Sequence, residues 1–151
     1  MGENNQVYNM TAKGTEIFSL FSDYWQLMKK YVPIKVMDRS EDYWDDFLQS
    51  VDRFYQKHSG EFSKSLLGDL AVMLDRQPEE EVSDDSPLKQ MMVAYWNILR
   101  KYVGHTNISA KNEILSSFSI SQKKFVSLYS SCFARDLMIS LQQELIRQMS
   151  V

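Results

Sequence analysis

Two stretches of this sequence, 71 residues apart, are nearly identical and predict that the chain contains an internal repeat. Residues 24–32 read YWQLMKKYV and residues 95–103 read YWNILRKYV, with five of nine positions identical. The same offset, without a gap, pairs Phe62, Lys64, Leu66, Leu67, Leu70 and Leu74 with Phe133, Arg135, Leu137, Met138, Leu141 and Leu145. A repeat constrains the architecture before any single residue does. Because Tyr, Trp and Lys do not substitute freely for one another, we interpret the match as a duplication.

The spacing of the apolar residues predicts an all-α fold. They recur at intervals of three and four residues, and no segment alternates between apolar and polar residues as a half-buried strand does. We predict a single domain of about six helices, arranged as two three-helix halves (residues 11–75 and 87–149) related by an approximate two-fold axis. Because a three-helix half would have only a small core, the halves should share one. The wide apolar stripes of the first and fourth helices predict that these two form the central pair.

Changes in composition along the chain predict the boundaries of the domain and of its two halves. Residues 1–10 are polar and predict a flexible leader, whereas residues 76–86 are rich in acidic side chains and predict a solvated acidic linker. In the second half we expect a short fifth helix over residues 109–118 and a long sixth helix over residues 121–148. Alternatively, residues 118–134 could form a turn followed by a recognition helix for DNA.

The composition excludes several classes of protein. A net charge of −3 argues against a protein whose main partner is nucleic acid, since phosphate binding requires clustered Lys and Arg. No apolar run reaches the ~18 to 20 residues of a membrane span, so no membrane association is expected. The single cysteine, Cys132, cannot form an internal disulfide, and the N-terminus lacks a secretory pattern. We therefore expect a cytoplasmic protein, with Cys132 buried and unreactive on the apolar side of the last helix.

The aromatic pairs of the repeat are the candidate ligand-binding residues: Tyr24, Trp25, Tyr95 and Trp96. Four large aromatic side chains on facing helices could line a pocket between the two halves. Alternatively they form the core, with the Tyr hydroxyl and Trp N–H groups reaching polar partners. Few polar residues lie near them in the sequence, which favours the core interpretation.

Other chemistry-bearing residues give weaker patterns. Asp42 and Asp46 share a helix face and could offer two carboxylates to a hard cation, but the Glu-x-x-His spacing of helical di-metal sites is absent. His58 and His105 are the only histidines, and neither has a carboxylate or nucleophile at a spacing that would indicate catalysis. We therefore expect no catalytic residue, no metal and no cofactor.

The surplus of aromatic and methionine side chains predicts a protein-interaction or regulatory module that is not an enzyme. If some of these side chains form a contiguous exposed patch, the patch would bind a protein partner or a second copy of the chain. The candidate interface residues are Tyr43, Trp44, Phe47, Phe133, Met138 and Met149. The alternative is a ligand-binding or enzymatic bundle with its pocket between the halves.

Overall fold

The computed structural model describes residues 2–104 and 108–150, with side chains described for residues 16–104 and 109–150. The described residues form helices and no strands, which confirms the all-α prediction. The helices are α1 (Gly2–Tyr31), α2 (Glu41–Lys57), α3 (Glu61–Arg76), α4 (Pro87–Tyr102), α5 (Lys111–Leu128) and α6 (Cys132–Gln148). They pack around one hydrophobic core as a single domain. None of the described helices combines the length and the apolar character needed to cross a bilayer.

Serine caps start three of the helices. A cap side chain accepts the backbone N–H three residues later, which satisfies one of the free donors in the first turn. This bond is formed at Ser40, Ser86 and Ser131, with the N–H groups of Tyr43, Lys89 and Ala134. Pro87 follows Ser86 at the first position of α4, where a missing N–H costs nothing.

The predicted boundary between the fifth and sixth helices is wrong. Phe118 and Phe125, seven residues apart on one face, are both buried and keep α5 helical as far as Leu128. The chain breaks instead just before Ser131, which caps α6. The predicted turn and recognition helix over residues 118–134 is therefore absent. Cys132 is the first residue of α6 and is exposed, so the prediction of a buried thiol is also wrong.

The most extensive helix contact in the described chain joins α3 and α6, which corrects the predicted central pairing of α1 with α4. Leu66 and Leu70 on α3 and Leu137 and Leu141 on α6 are almost completely buried. Helix separation depends on the side chains at the contact. Leucines therefore let α3 and α6 approach closely, whereas the larger rings of Phe21 and Trp96 lie between α1 and α4.

Buried hydrogen bonds recur at the repeat offset. The Tyr24 hydroxyl donates to the carbonyl of Leu66 at 2.6 Å, and the Tyr95 hydroxyl donates to that of Leu137 at 2.9 Å. In each case the second residue pair lies 71 positions after the first. The duplication and its two-fold axis remain predictions, and this recurrence supports them.

The same offset relates a second set of contacts. Tyr31 shares a hydrogen bond with Ser50 at 2.6 Å, and Tyr102 shares one with Ser117 at 2.6 Å and a longer one with Ser121 at 3.4 Å. Ser121 is the counterpart of Ser50, so α2 and α5 hold the ends of α1 and α4 in the same way.

The structure describes contacts of the predicted linker, residues 76–86, but not those of the predicted leader. The predicted leader, residues 1–10, falls on residues whose side chains lie outside the described set, and its flexibility stays a prediction. The linker begins after Arg76 and contacts the end of α1. There the N–H of Glu80 donates to the carbonyl of Val32 at 3.3 Å, and the Glu79 carboxylate accepts the N–H of Val36 at 2.9 Å.

Candidate functional site: an aromatic cleft between α1 and α4

Tyr24 and Tyr95, two of the four predicted ligand-binding residues, belong to the core. Both side chains are completely buried, and their hydroxyls donate to backbone carbonyls of α3 and α6. Burial, together with the nearby charge of Asp69, raises the pKa of both hydroxyls well above the usual value. They therefore stay protonated donors and offer no polar group to a ligand.

Trp25 and Trp96, the other two predicted residues, lie at a cleft between α1 and α4. The cleft has a volume of about 250 Å³ and opens to solvent. Its lining is mostly apolar and aromatic: Phe18, Phe21, Ser22, Trp25, Lys89, Val93 and Trp96. The structure thus brings the two tryptophans together at one surface and separates them from the two tyrosines.

Each tryptophan is covered by a residue of the other half. The Lys89 ammonium lies 4.7 Å from the ring centroid of Trp25, close enough for a cation–π interaction. The Phe18 ring lies 5.6 Å from Trp96 in an edge-to-face arrangement. Since Lys89 is 71 positions after Phe18 and Trp96 is 71 after Trp25, the two contacts are equivalent under the repeat.

The rim of the cleft exposes large apolar side chains. Phe18 is 59% exposed and Val93 is 44% exposed, whereas Trp25 is only 8% exposed. Phe21, on the inner side, contacts Trp96 at 5.2 Å between ring centroids. The cleft therefore has an apolar floor and an accessible apolar rim.

The rows of residues that form this surface carry positive charge only. The row on α1 has members four, seven and eleven residues after the first, and the row on α4 repeats that spacing, so each row follows one helix face. We call these rows the aromatic face: Phe18, Ser22, Trp25 and Lys29 on α1, and Lys89, Val93, Trp96 and Arg100 on α4. Lys29 and Arg100 are exposed at its end. Lys89 lies 3.9 Å from Asp84, an exposed residue of the linker.

The predicted interface residues are mostly not on the surface. Four of them are at most 2% exposed and pack in the core: Phe47, Phe133, Met138 and Met149. They are therefore not accessible to a partner in this structure. Tyr43 and Trp44 are partly buried, and the Tyr43 hydroxyl donates to the carbonyl of Tyr31 at 2.9 Å. The aromatic rings of Tyr43 and Trp44 pack edge to face at 5.0 Å.

Sequence reasoning missed Phe18 and Val93 as surface residues. The available signal was the apolar stripe of α1, which is wider than one buried face requires. The width of this stripe predicts a central position for α1, but Phe18 belongs to the part of the stripe that faces solvent.

One member of the acidic pair proposed for a cation, Asp46, is already engaged by other side chains. Asp46 accepts a hydrogen bond from the Tyr31 hydroxyl at 2.6 Å and pairs with Lys30 at 3.1 Å. These two contacts hold the pKa of Asp46 below its usual value. Asp42 lies in the first turn of α2, where a carboxylate complements the helix dipole. His105 lies outside the described residues.

Comparisons of this chain with protein-family models, with curated proteins and with solved structures find no match.

Proposed function

We propose that this protein is a non-catalytic interaction module that binds a short acidic segment of another protein on the aromatic face. The observation that carries the proposal is the exposed apolar rim of Phe18 and Val93, flanked by basic side chains on a chain of net charge −3. Apolar anchors that fill a desolvated pocket provide most of the affinity in protein complexes. Complementary charge around the pocket then sets the partner and its orientation.

The size and chemistry of the cleft favour a side chain over a free metabolite. Small-molecule sites usually have volumes of about 300–1,000 Å³ and a few convergent polar groups. The cleft, at about 250 Å³, is smaller, and among the described residues that line it Ser22 and Lys89 are the polar ones. One large apolar side chain suits it better than a polar ligand does.

The basic residues favour an acidic partner. Lys29, Lys89 and Arg100 give the aromatic face three positive charges, and no carboxylate belongs to its two rows. Two copies of the chain joined through this face would bring like charges together, which disfavours a symmetric dimer.

Single-stranded nucleic acid is a poorer fit than a peptide. Proteins that bind it use exposed aromatic faces on which bases stack and a longer positive groove. Here Lys89 and Phe18 already cover the two tryptophans.

Peptide selection tests the proposal. A random peptide library displayed on phage is selected on the wild-type chain, and selected peptides are measured by fluorescence anisotropy. We expect a consensus with one large apolar residue flanked by Asp and Glu, because the cleft is apolar and its surroundings basic. Phe18→Ser should abolish binding and Lys89→Glu should weaken it, whereas Leu128→Ser, at an exposed apolar residue of α5, should have no effect.

The outcomes separate the hypotheses. Peptides that are basic, or that bind the Phe18→Ser variant as tightly as the wild type, contradict the proposal. Retention of the wild type on single-stranded DNA, lost in the same variant, would assign the face to nucleic acid instead. We further propose that the protein acts in the reducing cytoplasm, where the exposed thiol of Cys132 stays free.

A further inference from the structure

A second apolar surface of the described chain lies on α2. It is a row with members four, seven and eleven residues after the first, which is the spacing that also defines the aromatic face. We call this row the α2 stripe: Trp44, Leu48, Val51 and Tyr55. Three of its members are partly buried and pack against the core, whereas Leu48 is 59% exposed. The stripe therefore presents Leu48 to solvent on a helix that is anchored to the core.

Leu48 differs from the other exposed large apolar residues in its neighbours. Asp45 lies three residues before it and Asp52 four residues after it, which places both carboxylates on its side of the helix. No basic residue lies within four positions of Leu48. Among the exposed large apolar residues of the described chain, Leu48 is the one that combines this absence with acidic residues on both sides. Ile120 and Leu128, for comparison, are each four positions from a lysine.

The two carboxylates beside Leu48 are not neutralised within the described part of the chain. Asp45 and Asp52 are exposed, and neither forms an ion pair or a side-chain hydrogen bond there. At the last residue of the stripe, Lys64 Nζ lies 6.0 Å from the ring centroid of Tyr55. The charge of Lys64 is balanced by the Glu61 carboxylate, 3.8 Å away. The surroundings of Leu48 are therefore acidic.

The second half of the chain shows that the fold does not require these side chains. Under the repeat offset, Leu48 corresponds to Ser119 and Asp52 corresponds to Lys123. With these residues α5 still forms, and it packs against α4 and α6. An exposed leucine between two carboxylates is therefore not explained by the packing of the helices.

The aromatic face has the opposite combination of charges around an apolar centre. Along α4, the cations Lys89 and Arg100 lie on either side of Val93, which is at the rim of the cleft. These cations are eleven residues apart, and Asp45 and Asp52 are seven residues apart. With α2 lying along α4, the spacings differ by about 3 Å at each end, at ~1.5 Å per residue. Long lysine and arginine side chains span that difference.

We propose that the partner of the aromatic face is a second copy of this chain, and that Leu48 of one copy fills the cleft of the next. Asp45 and Asp52 of the first copy then pair with Lys89 and Arg100 of the second. The inference rests on the proposed function, because it names the acidic segment that the face binds. Since the contact joins two different surfaces, it is head to tail, and it avoids the like charges of a symmetric pairing through the face.

Sedimentation velocity of the full chain at concentrations from about 10 µM to 1 mM tests the proposal. A contact through one apolar side chain and exposed charges is small and therefore weak. We expect the wild type to be monomeric at the lowest concentration, with a mean mass that rises by at least about half at the highest. The rise should become smaller in ~0.5 M NaCl, because salt screens exposed charges.

Two single variants remove the two sides of the contact. Leu48→Ser introduces the residue type of the counterpart position in the second half, and Phe18→Ser removes the rim of the cleft. Both positions are exposed, and circular dichroism should show an intact helical fold. Each variant should remain monomeric at ~1 mM, whereas Leu128→Ser should associate like the wild type.

An equimolar mixture of the two variants separates this contact from a symmetric one. The Leu48→Ser copy keeps its cleft and the Phe18→Ser copy keeps its leucine, so the mixture regains one contact. We expect the mixture to form pairs at concentrations at which each variant alone is monomeric. In a symmetric association through the aromatic face, Leu48→Ser would instead associate like the wild type.

Three results refute the proposal: a wild type that stays monomeric at ~1 mM, a Leu48→Ser variant that associates like the wild type, or a mixture of the folded variants that stays monomeric. The proposed function has its own test in the peptide selection. Acidic peptides that bind the aromatic face of a wild type that stays monomeric would support the peptide site and reject its assignment to a second copy. If neither acidic peptides nor a second copy binds the face, both proposals fail.

Discussion

Asp69 should make the stability of this protein depend on pH. Its Oδ2 accepts a hydrogen bond from Ser140, which lies 71 residues later and on the facing helix α6, at 2.5 Å. Burial raises the pKa of Asp69 from 3.8 to about 6, the nearby charge of Asp136 adds to the rise, and the hydrogen bond from Ser140 opposes it. Folding therefore shifts the protonation equilibrium of Asp69 towards its neutral form, relative to the unfolded chain.

The sign and the size of the effect follow from the two pKa values. Because folding raises the pKa, the stabilisation is complete below pH 3.8 and is lost as the pH rises through about 6. A rise of roughly two units corresponds to about 3 kcal/mol at ~1.4 kcal/mol per unit. The side chain of Asp69 is partly exposed, and solvent screening should reduce this to about 1.5 kcal/mol.

Asp69→Asn removes the titration and keeps a side-chain oxygen that accepts the hydrogen bond from Ser140. Urea unfolding followed by circular dichroism at several pH values gives the free energy of unfolding of both proteins, and their difference cancels the other titrating groups. We expect the variant to be more stable by about 1.5 kcal/mol at pH 7.5 and equal to the wild type near pH 4. Asp52→Asn, at an exposed residue of α2, is the matched control for the chemistry of the substitution. A constant difference for Asp69→Asn, or a less stable variant at pH 7.5, would refute the reasoning.

Two further predictions concern hydrogen bonds that the structure shows. Tyr24→Phe and Tyr95→Phe each remove a buried hydroxyl bonded to a helix carbonyl, and each should lower the free energy of unfolding by about 1 kcal/mol in urea titrations; a large inequality between them would contradict their equivalence. Ser131→Ala removes the cap of α6 and should cost ~1 kcal/mol, whereas Ser130→Ala, one residue earlier, should cost much less in the same assay. Equal losses at both serines would show that the cap does not hold the start of α6.

Much of the fold was predictable from the sequence because the local signals agree with the tertiary structure. Pro87 after Ser86 marks the start of α4, and the spacing of apolar residues gives the helix type throughout. The match between α2 and α5 was weak in the sequence because the equivalent positions keep hydrogen-bonding capacity rather than identity. Asp46 and its counterpart Ser117 both bond the tyrosine that ends the preceding helix, although their side chains differ.

Other features could not be predicted from local signals. Apolar spacing shows that a residue lies on the apolar face of a helix, but it does not show which other helix covers that residue. Met138 and Phe18 therefore have the same sequence signal, although one is buried and the other is exposed. Phe18 is exposed because α1 and α4 meet through rings that leave a cleft. Met138 is buried because α6 lies against α3. The break between α5 and α6 could nonetheless have been predicted from the repeat. The offset of 71 residues carries Ser59–Gly60, which separates α2 from α3, onto Ser130–Ser131.

The side-by-side packing of α1 and α4, with each tryptophan covered by the other half, underlies both the repeat interpretation and the proposed peptide site. A nuclear Overhauser spectrum of the full chain in solution measures it directly. We predict cross-peaks between the Phe18 ring and the Trp96 indole, whose ring centroids are 5.6 Å apart. We also predict cross-peaks between the Lys89 side chain and the Trp25 indole, because Lys89 Nζ lies 4.7 Å from the Trp25 ring centroid. A spectrum in which both tryptophans have cross-peaks only to residues of their own half would contradict the account.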